Sequence, residues 1–466
     1  MLPTAHRASR PPGAFGVALT GALVLLAGLL AAAMVNAAPS SAILPLIAAA
    51  GVVALYVAIA HPTLMVAGAA LAVPLEAFRP GAISPSAAVI GLAAIGVLIR
   101  WVCTTPLRLP RHPALIAFFV LVLVNAAGLV FAVSPVDVGR QLVVWMTLLV
   151  VVGGFALTAT RRDVRFVMLA LAVCGGLAGA VAIIDPKPLT GYVFGGGDVT
   201  RATGGFGSPN ALGALLVLTM PIQVVLALRG HPVVRAVAAG CFVVSLVGMG
   251  LSVSRGAFVG LGAALLVLAL WPPVRRMAAV LLPVVLVVSL VGSNPASPIA
   301  GKVVERLTEV QTAGSSNPRL VVWRKAPQIL SDHPIFGVGA LHFGYYASVY
   351  GIRFPEGVPD HAHNLILNTA IENGLLGLAA FLAMFATALA AMRRVIRTAS
   401  GEGAALAYAL AAALTGFFVS GLVDDALGVT PIGVAFFLAL GCVIGLSLDE
   451  QRRASAARPT GETTPT

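Results

Sequence analysis

Residues 214–229 read ALLVLTMPIQVVLALR, and their lack of alternation decides the fold class. A strand of a membrane barrel alternates apolar and polar positions over about 10 residues. This run is apolar on nearly every side, which suits a helix surrounded by lipid or by other helices, with its backbone polar groups satisfied internally. Similar blocks, each near the ~20 residues needed to cross a bilayer core of ~30 Å, fill the chain on both sides of it. They lie near 14–35, 42–60, 62–78, 86–103, 113–133, 139–158, 164–184, 210–228, 234–251, 256–271, 277–292, 364–391, 404–423 and 429–447. The first follows MLPTAHRASRPPG but is longer than a signal-peptide core, so it is expected to be an uncleaved first helix. The prediction is an all-α polytopic membrane protein with about 12–14 transmembrane helices, the shortest early blocks counting as whole or half spans.

Composition agrees with that reading. Of 466 residues, 59% are hydrophobic and only 10% charged, against about a quarter charged in a soluble domain. The net charge of +12 would suit nucleic acid if it formed a patch. The basic residues instead sit in short clusters between apolar blocks, so topology accounts for them and no nucleic-acid partner is expected. Eighteen Lys and Arg, from Arg7 to Arg458, fall at one set of helix ends, and five (Arg79, Arg140, Lys187, Arg201, Arg255) fall in the opposite short loops. The positive-inside rule makes the first set cytoplasmic and places both termini inside. All four cysteines lie within apolar blocks, so no loop disulfide is expected.

The expected organisation is an N-terminal transmembrane bundle over 1–190, spans with Arg-bearing outer loops over 191–292, a large outer loop over 293–363, C-terminal helices over 364–448, and a polar, disordered cytoplasmic tail over 449–466. Long loops in a tightly threaded protein are usually functional. Within the large one, RLVVWRKAPQIL (319–330) reads as an amphipathic helix resting on the membrane face.

Four places could carry chemistry. In TRATGGFGSPNALG, Arg201 lies beside a Gly-rich turn, with Ser208 as helix cap and Pro209 as first helical residue. An Arg beside free helix-terminal N–H groups is an anion site; a loop Arg snorkelling at the interface is an equally good reading. In LSVSRGAFVG, Arg255 stands between two spans, either facing a cavity or simply within a tight turn. In NPRLVVWRKAPQIL, Arg319 shares a helix face with Trp323, while Arg324 and Lys325 read as a solvated face. The fourth is DHAHNLILNTAIENGLLGLAAF, where His361 and His363 open a span at the membrane surface. A His at a helix N-terminus is disfavoured as a cation and can serve as a general base near neutral pH. A zinc site at His361-x-His363 lacks an obvious third ligand, so no metal is expected. Gly337-x-Gly339 completes no dinucleotide fingerprint. Asp424 and Asp425 read as a turn rather than a proton relay.

These blocks resemble the O-antigen ligase/polymerase superfamily. His363-Asn364, nine residues, then Gly374-x-x-Gly377 is similar to the outward-facing motif of O-antigen ligases. WRKAPQILSDHPIFGVG, GGFGSPNALG and SVSRGA resemble the superfamily's other landmarks, in the same order, over residues 201 to 377. The resemblance implies a metal-independent, cofactor-free transferase of the GT-C type in the bacterial inner membrane, with its active face periplasmic. It implies an undecaprenyl-diphosphate-linked glycan as donor, and lipid A–core or another glycan as acceptor. By the same resemblance His363 would activate the acceptor hydroxyl. Arg201 would hold the diphosphate together with a second Arg, either Arg319 or Arg255. Asn364, His361, Gly374 and Gly377 would support the site. Wzy-type polymerases share these blocks, so ligase and polymerase both stay open. A transporter of lipid-linked glycan is the reading from another class; it expects charges deep within several spans and paired halves, and neither is visible.

Overall fold

The structure is a computed structural model describing residues 51, 53, 55–78, 85–104, 111–184, 201–275, 318–353 and 357–457. Helices dominate. In chain order they are α1 (Pro62–Ala72, followed by a 3-10 turn, Val73–Phe78), α2 (Pro85–Thr104), α3 (Pro113–Gly128), α4 (Pro135–Thr158), α5 (Arg161–Ile184), α6 (Pro209–Arg229), α7 (Pro232–Ser252), α8 (Arg255–Ala269), α9 (Pro318–Asp332), α10 (Phe343–Val349), α11 (Leu365–Thr398), α12 (Glu402–Gly421) and α13 (Thr430–Ala456). Eight are long and apolar enough to cross a membrane, and three further apolar helices are shorter. These eleven coincide with eleven of the predicted spans. Those at 14–35 and 277–292, and most of 42–60, lie outside the described residues, as do loop residues 185–200 and 293–317 and the end of the tail.

The starts of these helices have a common cause. Seven of them begin on proline, which costs nothing at the first helical position because that N–H has no partner within the helix. Side chains cap several ends: His112 accepts from Ala114 N, Ser208 from Asn210 N, and Asn364 from Leu367 N.

Small residues set the packing. The span windows of α13 and α6 are 94% and 89% buried, against 22% for α7, so the first two form the centre and α7 the rim. A Cβ on Gly248 of α7 would stand 2.7 Å from the Cα of Gly179 in α5, and one on Gly176 would stand 2.6 Å from Cys241 Sγ. Close backbone approach of this kind replaces the hydrophobic drive that lipid removes. Gln223 of α6 ties the three helices together by donating to Ala172 O and Ser245 Oγ.

A second, smaller core forms a lobe outside the bundle. Val322, Ala326 and Ile329 of α9 bury against Val338, Phe343, Ala347, Ile352, Ala362 and Ile371. The helix expected over 319–330 is present; its buried residues cover the lobe's own core, while Leu320 stays 43% exposed. The tail differs from expectation: α13 continues to Ala456, with Asp449 paired to Arg453 at 2.7 Å and Glu450 to Arg161 at 2.6 Å.

The span opening at Leu365 is not continuous either. Gly374 has φ +66° and ψ −174°, which breaks α11 between residues 365–373 and the longer segment from Leu375. Residues 334–339 fill the break. Leu375 N donates to Pro334 O, Leu376 N to Ile335 O, Val338 N to Ile371 O and Gly339 N to Glu372 O. The broken helix therefore keeps its backbone groups satisfied through the lobe. Gly337 and Gly339, at φ +72° and +93°, are the residues that let the chain enter the break. Their spacing is structural, the alternative to a nucleotide loop that the sequence left unnamed.

Gly374 carries the first prediction. A Cβ there would lie 2.1 Å from Ile335 O, on backbone that cannot move aside, and in a left-handed conformation. Gly374→Ala should cost about 3 kcal/mol, whereas Gly262→Ala, with nothing within 4 Å of its Cβ, should be neutral or better. Thermal unfolding of the two variants in detergent, followed by intrinsic tryptophan fluorescence, makes the comparison; equal midpoints would remove the clamp from the fold's energetics.

Candidate active site

His363 sits where three elements meet, held in a conformation it would not adopt alone. Its φ is +49°; only Val253 and Leu341 share a positive φ among the described non-glycine residues. Such strain persists where surroundings over-determine it. Asn364 donates to Leu422 O at 2.8 Å while capping Leu367 N. Asn368 Oδ1 accepts from Ala362 N, and Trp323 Nε1 donates to Ala362 O. The His-containing strip is thus pinned from α9, α11 and the end of α12.

The principal partner is Asp424, in the turn between α12 and α13. Its Oδ1 lies 2.9 Å from His363 Nδ1 and 3.1 Å from His361 Nε2, and its Oδ2 lies 3.8 Å from Arg319 Nη2. The reading of Asp424 and Asp425 as a mere turn is corrected. They do form a turn, with Asp425 Oδ1 accepting from Leu427 N, yet Asp424 projects into the histidine cluster. It also supplies the third ligand atom that His361-x-His363 lacked in sequence: the three donor atoms lie within 4.8 Å of one another, close enough to hold a cation. The Arg319 guanidinium beside Asp424 offers the carboxylate a counter-charge of its own.

The arrangement splits the two imidazoles. Burial lowers the pKa of His363, and the charges of His361 and Arg319 add to this, while Asp424 only partly opposes them; the ring stays below the ordinary histidine value. Burial also works to lower His361, but the Asp424 carboxylate, with Asp425 and Asp360 behind it, outweighs burial and raises it. Burial alone would raise Asp424, yet its hydrogen bonds to both histidines and the Arg319 charge hold it far below the carboxylate range. Neighbouring groups pushed apart in this way divide acid from base roles. His363 is the neutral ring. With Nδ1–H donated to Asp424, Nε2 is the ring nitrogen that carries the lone pair.

A pH consequence follows with a definite sign. Because the His363 value is lowered, its base form persists below pH 6.5, and any rate that depends on it falls only at still lower pH. His361 contributes to that lowering. His361→Gln should therefore move the acid limb of the pH–rate profile to higher pH. A limb that stays put, or moves down, would separate the two histidines functionally.

The arginines are placed unequally. Arg319 reaches the cluster. Arg201 is buried to 7% exposure, and its Nε and Nη2 donate to Ser252 O, Val253 O and Asn210 Oδ1. Arg255 is exposed at the first position of α8, and next to it a Cβ on Gly256 would touch Val423 Cγ2 at 2.6 Å. Gly421 packs as closely on Leu365, the first residue of α11. The four blocks, with Arg201 and His363 162 residues apart in sequence, thus form one continuous chain of contacts. Arg201 holds the α7–α8 turn, that turn abuts Val423, and Asp424 follows. Gly377 is buried where its Cβ would meet Asn373 Cβ at 2.3 Å, and Asn373 accepts from Asn125 of α3.

Residues 240–382 match the family model described as O-antigen ligase. Over that stretch the chain is similar to O-antigen ligases. No curated protein matches the chain. The matched stretch runs from within α7 to the second part of α11, and so holds Arg255, Arg319, His361, His363, Gly374 and Gly377. Arg201 and Asp424 lie on either side of it, and the fold brings both back against it. Asp424 is the residue of this cluster whose pairing with the histidines sequence reading did not see. The signal was faint: an Asp pair at the outer end of a span, with its partners 61 and 63 residues away.

Proposed function

We propose that the chain transfers a glycan from undecaprenyl diphosphate to a hydroxyl acceptor at the periplasmic face of the inner membrane, acting as an O-antigen ligase on lipid A–core. The observation that supports this most is the His363–Asp424 pair, within and beside the matched domain, with Arg319 next to it. In this reading the acceptor oxygen attacks the anomeric carbon as its proton passes to His363 Nε2. The bond from that carbon to the phosphate oxygen breaks, and its electron pair leaves with the polyprenyl diphosphate. Asp424 holds the His363 tautomer and balances the imidazolium that forms. Arginine charge on the diphosphate, from Arg319 with Arg201 and Arg255, stabilises the leaving group without a metal.

Deleting the gene in its own host tests the reading. Loss of all long glycan from lipid A is the expected result. Retention of a single repeat unit on lipid A would instead assign the same chemistry to a polymerase, and an unchanged lipopolysaccharide ladder would overturn the transferase reading.

A further inference from the structure

We infer that α10 is seated in the outer interface of the bilayer, with the side chains of Leu341, Tyr345 and Val349 facing lipid. Tyr345 and Val349, four apart, share one face of α10 and are 53% and 60% exposed; Leu341, in the left-handed turn that leads into the helix, is 47% exposed. The opposite face is spent: Phe343 and Ala347 are fully buried in the lobe core. A small lobe that buries its best apolar residues and still exposes a Leu–Tyr–Val ridge has left that ridge for an apolar neighbour.

The neighbour is identified by what the ridge is continuous with. His342, directly before α10, accepts from Ser134 N at 2.8 Å. Ser134 is the residue before the α4 span, so it marks where that span leaves the membrane. Around it the α3–α4 turn exposes Val130, Phe131, Val133 and Val136, each by half or more. Phe131 stacks on Phe336 of the clamp at 6.1 Å. Next to Phe336, Ile335 is exposed and bonded to Leu376; Leu375 and Leu376, which open the long part of α11, are exposed as well. The apolar rim of two membrane spans therefore reaches the clamp at Phe336, and the His342–Ser134 bond sets the start of α10 against the same rim. A seven-residue helix is about 10 Å long, and the headgroup zone on each side of the hydrocarbon is roughly 5–8 Å deep. Starting at the edge of α4, most of α10 stays within reach of that zone. Tyr at its centre suits the position, since tyrosine favours the interface, where its ring is in lipid and its hydroxyl in water.

The consequence concerns the site. A Cβ on Gly344 would lie 3.5 Å from Pro359 O and 3.6 Å from Asp360 Cα, so α10 backs directly on the strip leading to His361. Seating α10 in the interface fixes the level of the histidine cluster relative to the headgroups. The inference rests on the membrane spans alone and stands or falls independently of the proposed transferase chemistry.

Spin labels placed singly at 345 and 349 test it, in full-length protein reconstituted into bilayers with its native cysteines replaced by Ala. Collision with oxygen, which concentrates in lipid, should exceed collision with a water-soluble nickel complex at both positions. The order should reverse at the exposed Arg353. Nickel-dominated collision at 345 and 349 would overturn the inference, and so would labels shielded from both reagents, which would mean that protein covers the ridge. Should the cysteine-free background fail to fold, Tyr345→Trp can be read against its parent with acyl-brominated lipids. Added fluorescence that these lipids quench supports the seating, and added fluorescence that they leave unquenched overturns it.

Discussion

His363→Ala should abolish all but a residual rate, with a loss of about 10²–10⁴-fold, the usual contribution of a positioned general base. Asp424→Asn should fall within the same range, although it leaves a side chain of nearly the same shape. Asn can donate to His363 Nδ1, and then the proton sits on Nε2, the nitrogen that must take up the acceptor's proton. Loss of the carboxylate also removes the balance for the imidazolium. The two changes act on one unit, so the double variant should be scarcely slower than His363→Ala alone. Glycan transfer in a matched ligase-deficient host, with folded protein checked by size exclusion, decides this. A folded His363→Ala variant with unchanged lipopolysaccharide banding would remove the residue from the mechanism. Fully multiplicative losses would mean that Asp424 acts elsewhere.

Arg201→Lys should be nearly as damaging although charge is kept. The guanidinium reaches Ser252 O, Val253 O and Asn210 Oδ1 with Nε and Nη2 together. One ammonium nitrogen cannot hold that spread and also face a diphosphate. Losing one charge-assisted contact at the transition state should cost about 2–4 kcal/mol, or a rate drop of roughly thirty- to a thousand-fold. The rate per folded molecule should drop by this factor, beyond any loss of stability from the three hydrogen bonds. A loss that merely tracks the folded fraction would confine Arg201 to its structural role in the α7–α8 turn. The same account has no divalent ion at the phosphate, so activity of purified protein should survive EDTA. Loss on chelation, restored by magnesium or manganese, would make His361, His363 and Asp424 ligands and overturn the base assignment.

The spans were legible because lipid imposes a length and a composition that nothing else in a sequence imitates, and the proline starts and Ser208 cap sharpened their ends. The lobe was less legible. An apolar face on 319–330 announces that something will cover it, and periodicity does not say whether that is lipid or Phe343 and Ile371. Gly374 within a helical pattern permits a break; what fills the break, residues 334–339, comes from a separate stretch of chain. Asp424 was hidden for the same reason. Its carboxylate gains meaning only from two imidazoles placed by another helix, and no local pattern around it carries that information.

The broken α11 has one more implication. Nine residues separate His363-Asn364 from Gly374, so the base stands at most about 15 Å from the point where the crossing helix begins. The clamp of 334–339 makes that separation a fixed distance, because the lobe is bonded to both sides of the break. An enzyme built this way measures from the membrane outward. On the proposed reading it would meet the first sugar–phosphate bond of any lipid-borne chain at one height, whatever its length, and long and short glycans should be transferred with equal ease.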